Sequence, residues 1–113
     1  MNECIFCRIL AGEIPADVLY RDEHIAVLAD VQPQAPVHVL VLPVRHVENL
    51  HEFARTAAPG EARDLIAAAA RFGEERSPDG FRVVVNSGVK GGQTVGHLHV
   101  HVIGGREMSW PPG

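Results

Sequence analysis

The 113-residue sequence has no long hydrophobic run, no surplus of basic charge and only two cysteines. Its longest apolar stretches, 39–42 and 65–70, are far shorter than the roughly 20 residues that a membrane-spanning helix needs. Ten Lys and Arg against fourteen Asp and Glu give a net charge of −4. The short apolar stretches therefore predict no membrane span. Because a nucleic-acid backbone must be neutralised by basic side chains, we also expect no nucleic-acid polymer as partner.

The first residues also lack the features of a secretory signal. Glu3 stands where such a signal would be basic, and no apolar core follows it. We therefore expect a cytoplasmic protein whose cysteines stay reduced, because disulfides are rare in that compartment.

Composition and length predict one folded domain over residues 1–113. Hydrophobic residues make up 46% and charged residues 21%, the balance of an ordinary folded protein, and no repeat or linker divides the chain. Turn residues separate short strands, which are predicted at 18–21, 24–29, 37–42, 81–85 and 97–103. Helices are predicted at 6–11, 47–55 and 60–76. Strands in runs, with helices grouped between them, indicate an α+β domain with an antiparallel sheet.

The strongest signal is a run of three histidines, His97, His99 and His101, at alternate positions with aliphatic residues between them. In a strand, this alternation places the imidazoles on one face and the aliphatic side chains on the other. The alternative without a function is that the three histidines form a solvated polar face. Three ligands of one metal are disfavoured, because a strand separates His97 from His101 by roughly 13 Å whereas zinc–nitrogen bonds are about 2.0 Å long. We therefore expect the three histidines to divide their roles.

Two further motifs accompany this run. The loop 88–96 is rich in glycine, which favours backbone N–H groups that converge on a phosphate, although a plain turn is the common alternative. Cys4 and Cys7 form a C-x-x-C pair that supplies two of the four ligands of a structural zinc site. His46 and His97 are the candidate partners of that pair, with two unliganded thiols or a redox pair as alternatives.

Taken together, these residues resemble the histidine-triad (HIT) nucleotide-binding family, particularly its Hint branch. The resemblance covers nearly the whole chain and is most specific at 91–101 and at the terminal Trp-Pro-Pro-Gly of 110–113. It implies an antiparallel sheet of about five strands, one long helix and one or two short helices. It also implies a homodimer whose sheets join into one.

The resemblance further implies an activity similar to that of purine nucleoside phosphoramidases. Members of the family hydrolyse nucleoside phosphoramidates or related nucleotidyl compounds through a covalent nucleotidyl-histidine, without a catalytic metal. By position, His99 is the nucleophile, and His101 and His38 are the other catalytic residues. A nucleoside monophosphate would contact Phe6, Ile9, Leu28, Asp30, Val31, Asn86, Gly92, Gln93, Thr94, His99 and His101. Family members with the C-x-x-C pair bind a structural zinc at the positions of Cys4, Cys7, His46 and His97.

Three other functions stay open at this point. The chain could hydrolyse dinucleoside polyphosphates with the same nucleophile, or it could be a nucleotide-binding interaction module with little turnover. A metal-dependent hydrolase that uses the three histidines as ligands is the third. Thr94 occupies a position that is often serine in the family, which leaves the leaving group unassigned.

Overall fold

The computed structural model describes residues 3–113. In this part of the chain the elements follow the order α1 (Ile5–Leu10), β1 (Val18–Arg21), β2 (Ile25–Ala29), β3 (Val37–Pro43), α2 (Leu50–Thr56), α3 (Pro59–Arg76), β4 (Phe81–Val84) and β5 (Val100–Gly104). The strands form one antiparallel sheet with the order β1-β2-β3-β5-β4. The predicted α+β class, with about five strands, one long helix and short helices, is confirmed.

The two faces of the sheet are covered by different helices. On one face, α3 packs Leu65 and Phe72 against alternate residues of the central strands, such as Val39 and Val41. On the opposite face, Phe6 and Leu10 of α1 pack in a smaller cluster with Ala26, Leu28, Leu40 and Leu42. Because β2 and β3 are buried on both faces, their sequences are apolar at nearly every position.

The last strand is shorter than predicted. Residues 97–103 were expected to be one strand, but β5 begins at Val100, and 97–99 lie outside the sheet. Leu98 N–H donates instead to the carbonyl of Val47, in the segment that precedes α2. The side chains of 97–99 still alternate between the two faces of the sheet. Leu98 lies in the core on the α3 side, whereas the ring of His99 contacts Phe6 on the α1 side.

The predicted second helix also begins later than expected. It starts at Leu50 instead of residue 47, because the Asn49 side chain caps it by accepting the N–H of Glu52 at 2.9 Å. The residues just before this cap therefore lie outside the helix, where Val47 accepts the N–H of Leu98 from the segment that leads into β5. Within residues 3–113, no helix is both long and apolar enough to span a bilayer.

Candidate functional site

Three imidazoles meet on the α1 face of the sheet. His38 lies on β3 and His101 on β5, and their ring centres are 5.2 Å apart. His99 stands next to them, with its ring centre 5.1 Å from that of His101 and 5.1 Å from that of Phe6. Antiparallel pairing of β3 with β5 brings residues together that are more than 60 positions apart in the sequence.

A chain of hydrogen bonds orients His38 and His101. The backbone N–H of Gln34 donates to Nδ1 of His38 at 2.9 Å, so the hydrogen of His38 is on Nε2. This Nε2–H lies 2.9 Å from Nδ1 of His101, which accepts it, and 3.3 Å from Oδ2 of Asp30. His101 then carries its own hydrogen on Nε2. That buried Nε2 has no hydrogen-bond partner among residues 3–113, so it is a donor available to a ligand.

His99 is held in the opposite tautomer. Its Nδ1 lies 2.8 Å from the carbonyl oxygen of His97, and a carbonyl can only accept, so the hydrogen is on Nδ1. In the neutral form of the ring, the lone pair of His99 is on Nε2. A neutral imidazole with a bare nitrogen next to an available N–H donor is suited to attack on a phosphoryl group.

Burial lowers the pKa of His101 to about 4, with a smaller contribution from the neighbouring His99 and His38. The ring is therefore neutral near pH 7 and can act as both acceptor from His38 and donor from Nε2. Burial also lowers the pKa of His97, whose ring is fully enclosed.

The lowered pKa of His101 predicts a loss of stability in acid. Below about pH 6.5 the unfolded chain protonates this imidazole, whereas the folded protein does so only near pH 4. The free energy of unfolding should therefore fall between about pH 6.5 and pH 4, by up to about 3 kcal/mol. Urea unfolding across this range should show a smaller fall for His101→Gln than for the unmodified chain. Equal falls in the two proteins would contradict the assignment.

The structure positions the other predicted nucleotide contacts as follows. Asp30 lies beside His38, and its other oxygen, Oδ1, accepts the N–H of Gln32 at 2.8 Å. Asn86 lies two residues beyond the end of β4 and is half-buried. Thr94 is exposed. In the predicted base pocket, Phe6 and Leu28 are buried together, Ile9 is half-buried beside them, and Val31 is 89% exposed.

The glycine-rich loop differs from the predicted anion nest. The N–H groups of Gly91 and Gln93 both donate to the carbonyl of Gly88, and the N–H of Gly92 donates to that of Val89. Gly88 and Gly92 have φ values of +78° and +87°, so this tight loop depends on glycine at both positions. Since these three amides are engaged inside the loop, they do not converge on a common cavity.

Gln93 also has an unexpected role. Its Oε1 accepts the N–H of Gly88 at 3.0 Å, and its Nε2 donates to the carbonyls of Glu48 and Val95 at 2.7 and 3.0 Å. Both amide hydrogens are thus donated within the chain, and the side chain fastens the loop to the segment before α2. Nothing in the sequence distinguishes this use of a glutamine from ligand binding.

A second cluster lies next to the imidazoles, on the other side of Phe6. Cys4, Cys7, His46 and His97 each direct one ligand atom to a common point, and these four atoms lie within 4.8 Å of one another. Cys4 Sγ is 3.3 Å from His97 Nδ1, and Cys7 Sγ is 3.4 Å from His46 Nδ1 and 3.5 Å from His97 Nδ1. The sequence-predicted ligand set is thus brought together from three distant segments.

The chemistry of this cluster fits a tetrahedral zinc ion. Zinc bonds of about 2.3 Å to sulfur and about 2.0 Å to nitrogen set neighbouring S and N ligands about 3.5 Å apart, close to the observed separations. His97 donates its Nε2–H to the carbonyl of Pro43 at 2.9 Å, which leaves Nδ1 with its lone pair towards the thiols. The Glu48 carboxylate lies 3.8 Å from the second ring nitrogen of His46. The triad histidines therefore divide between two clusters, which disfavours one ion held by all three.

An ion pair that the sequence did not reveal supports this region. The buried carboxylate of Glu61, in the first turn of α3, receives two hydrogen bonds from Arg45 at 2.7 and 3.0 Å. Arg45 also donates to Thr56 at the end of α2. Because Arg45 immediately precedes His46, these contacts anchor the segment that carries one candidate metal ligand.

Fold and site together define a small α+β domain with neighbouring imidazole and thiol–imidazole clusters on one face of its sheet. A family model described as HIT domain matches residues 11–108. The chain belongs to the HIT domain family. A HIT-like protein of Synechococcus elongatus is 43% identical over 112 residues, which are 99% of this chain and 98% of that protein.

Solved structures agree with this assignment. A HIT family hydrolase from Legionella pneumophila superposes with a TM-score of 0.87 at 35% identity, covering 98% of this chain and 100% of the other. A histidine triad protein from Clostridium difficile gives a TM-score of 0.83 at 33% identity, with 96% of each chain covered. The resemblance to the HIT family read from the sequence is confirmed.

Proposed function

We propose that this protein is a nucleotide-binding hydrolase of the Hint type, which cleaves nucleoside 5′-phosphoramidates or related nucleotidyl compounds. The observation that carries the proposal is the pair of opposed tautomers, a bare Nε2 on His99 beside an Nε2–H on His101. The similarity to a solved HIT family hydrolase supports the same reaction class.

In the first step, Nε2 of His99 attacks phosphorus, and the bond from phosphorus to the leaving nitrogen breaks. The leaving group departs with the bonding electron pair and takes up a proton from solvent to become a neutral amine. The Nε2–H of His101 donates to a non-bridging phosphoryl oxygen, which stabilises charge there without a metal. Because Nδ1–H of His99 is held by the His97 carbonyl, positive charge on the nucleotidyl-imidazole is shared with that hydrogen bond.

In the second step, water attacks phosphorus, the bond to Nε2 of His99 breaks, and the proton lost by the water goes to solvent. The nucleoside monophosphate leaves, and the imidazole returns to the tautomer that it has in the structure. Two transfers with moderate barriers thereby replace one direct hydrolysis with a high barrier. His38 acts on both steps indirectly, as the residue that sets the tautomer of His101.

We assign nucleotide binding to the residues named from the resemblance, with two adjustments from the geometry. Asp30 is the ribose ligand, Thr94 and Asn86 are phosphate ligands, and Phe6 and Ile9 contact the base. Gln93 shapes the glycine-rich loop from within, because its amide is already engaged. Leu28, with 2% of its surface exposed, supports the base pocket from behind.

We assign a structural zinc to Cys4, Cys7, His46 and His97. When bound, it would join α1, the segment after β3 and the approach to β5, and would take no part in the transfer itself. We further propose a cytoplasmic homodimer with a sheet continuous through the edge strand β4. The side chain of Trp110, near the C-terminal end, is 81% exposed and therefore accessible to a partner subunit.

Comparison of two substrates tests the proposed reaction. Adenosine 5′-phosphoramidate should be hydrolysed at least about tenfold faster, in kcat/KM, than a diadenosine polyphosphate, because the proposed reaction cleaves a bond from phosphorus to nitrogen. An alkaline quench during turnover should trap adenylate on His99, which peptide mass spectrometry can locate. Faster hydrolysis of the polyphosphate would favour the alternative enzyme, and the absence of turnover and of a trapped adenylate would favour a binding module.

A further inference from the structure

The peptide unit between His97 and Leu98 joins the thiol–imidazole cluster to the nucleophile. Its carbonyl oxygen accepts the Nδ1–H of His99 at 2.8 Å, and its N–H donates to the carbonyl of Val47 at 2.7 Å. Since a peptide bond is planar, the two groups point in fixed, opposite directions. Any contact that fixes this peptide plane therefore also fixes the orientation and the tautomer of the His99 ring.

The peptide is connected on two sides to candidate metal ligands. It begins at His97 itself, and its N–H is held by Val47, the residue after His46. The His97 ring is fully buried between the Pro43 carbonyl, which accepts its Nε2–H, and the two thiols, which face its Nδ1. Val47 directly follows His46, whose Nδ1 lies 3.4 Å from Cys7 Sγ. A metal coordinated by this cluster would hold the peptide through two separate segments of chain.

The sheet gives this peptide little support. Pairing of β5 with β3 begins at Val100 and Val41, so the carbonyl of His97 lies outside the ladder. If the His97 ring and the segment carrying His46 lose their common metal, the carbonyl can turn away from His99. The imidazole can then carry its hydrogen on Nε2, the nitrogen that must be bare for attack on phosphorus.

We propose that His97 is a positioning residue that couples metal binding in the thiol–imidazole cluster to the tautomer of the nucleophile His99. The coupling rests on the proposed function, since it needs His99 as the attacking group. It predicts that metal removal impairs transfer to the imidazole while the affinity for nucleotide is retained. A metal that only stabilised the fold would change both together.

The test uses protein labelled with ¹⁵N at histidine, prepared zinc-loaded, chelator-treated and as the variant His46→Gln. The side chain of His46 is half-exposed, so this change removes one ligand with little disturbance of the core. The matched control is His51→Gln, an exposed histidine of α2 outside both clusters. Zinc content, imidazole ¹⁵N shifts, the dissociation constant of adenosine 5′-monophosphate and the rate of adenylate transfer to His99 are measured on each.

In the zinc-loaded protein and in His51→Gln, His99 should show a single tautomer with hydrogen on Nδ1. Chelator-treated protein and His46→Gln should show both tautomers and transfer about 10- to 100-fold slower, with the nucleotide dissociation constant changed less than about twofold. Zinc added back to the chelated protein should restore the single tautomer and the rate.

An unchanged tautomer after zinc removal would overturn the coupling, as would a parallel loss of transfer rate and nucleotide affinity. Failure of the proposed function has a different signature, because it would appear as full activity of a His99→Ala protein. The tautomer comparison is read without turnover and so decides the coupling in either case.

Discussion

The His99→Ala variant should lose at least about 10⁴-fold in kcat on adenosine 5′-phosphoramidate, because the proposed reaction has no other nucleophile. The dissociation constant of adenosine 5′-monophosphate should change far less, since Asp30, the phosphate ligands and the base pocket stay in place. Alanine also removes the ring that packs edge-on against Phe6 at 5.1 Å, so a modest loss of stability should accompany the change. Turnover assays measure the loss of kcat, and calorimetric titration measures the dissociation constant of adenosine 5′-monophosphate.

The exposed His51 again provides the control, as His51→Ala, which should keep both the rate and the affinity. The trapped adenylate should be absent from His99→Ala and present in the control. A His99→Ala protein that hydrolyses the phosphoramidate at the normal rate would refute the nucleophile. A nucleotide affinity that falls as steeply as kcat would instead assign His99 to binding.

Removal of zinc should produce the largest change in stability. Purified under non-chelating conditions, the protein should contain about one equivalent of zinc, held by the cluster of Cys4, Cys7, His46 and His97. A ligand at about 1,000 times its dissociation constant stabilises a folded protein by about 4 kcal/mol. For a domain of this length, chelation should therefore lower the melting temperature by roughly 10 to 20 °C.

The double variant Cys4→Ser, Cys7→Ser serves as the internal control for this experiment. It should bind little zinc, should melt near the temperature of the chelated protein, and should not respond to chelator. Less than a few tenths of an equivalent in the unmodified protein would defeat the four-ligand assignment. A chelator effect of equal size in the double variant would show that the thiols are not the ligands.

Much of the fold was predictable from local pattern. The run 37–42, which is apolar on both faces apart from His38, predicted a buried central strand, and β3 is indeed the third of five. Glycine and proline separated the elements, and the spacing of Ala62, Leu65 and Ala69 predicted the long helix α3. These signals are local, because strand and helix periodicities are set by neighbouring residues.

Predictions failed where a distant partner decides the conformation. His97 was assigned to a strand, but its segment pairs through Leu98 with Val47, and its ring lies against the thiols of Cys4 and Cys7. For Gln93 the phosphate contact stays a prediction, while the structure shows its amide bonded to the carbonyl of Glu48. In both segments, hydrogen bonds to distant residues are formed that the local sequence does not predict.

The sequence by itself determined the composition of the site: three alternating imidazoles, a C-x-x-C pair, and the elements that carry them. Only the tertiary structure decided which nitrogen of each imidazole holds a hydrogen, because that depends on the acceptor or donor opposite each ring. The carbonyl of His97 places it on Nδ1 of His99, and the hydrogen bonds that run from Gln34 through His38 place it on Nε2 of His101. These partners come from separate strands and loops, so no reading of one segment could supply them.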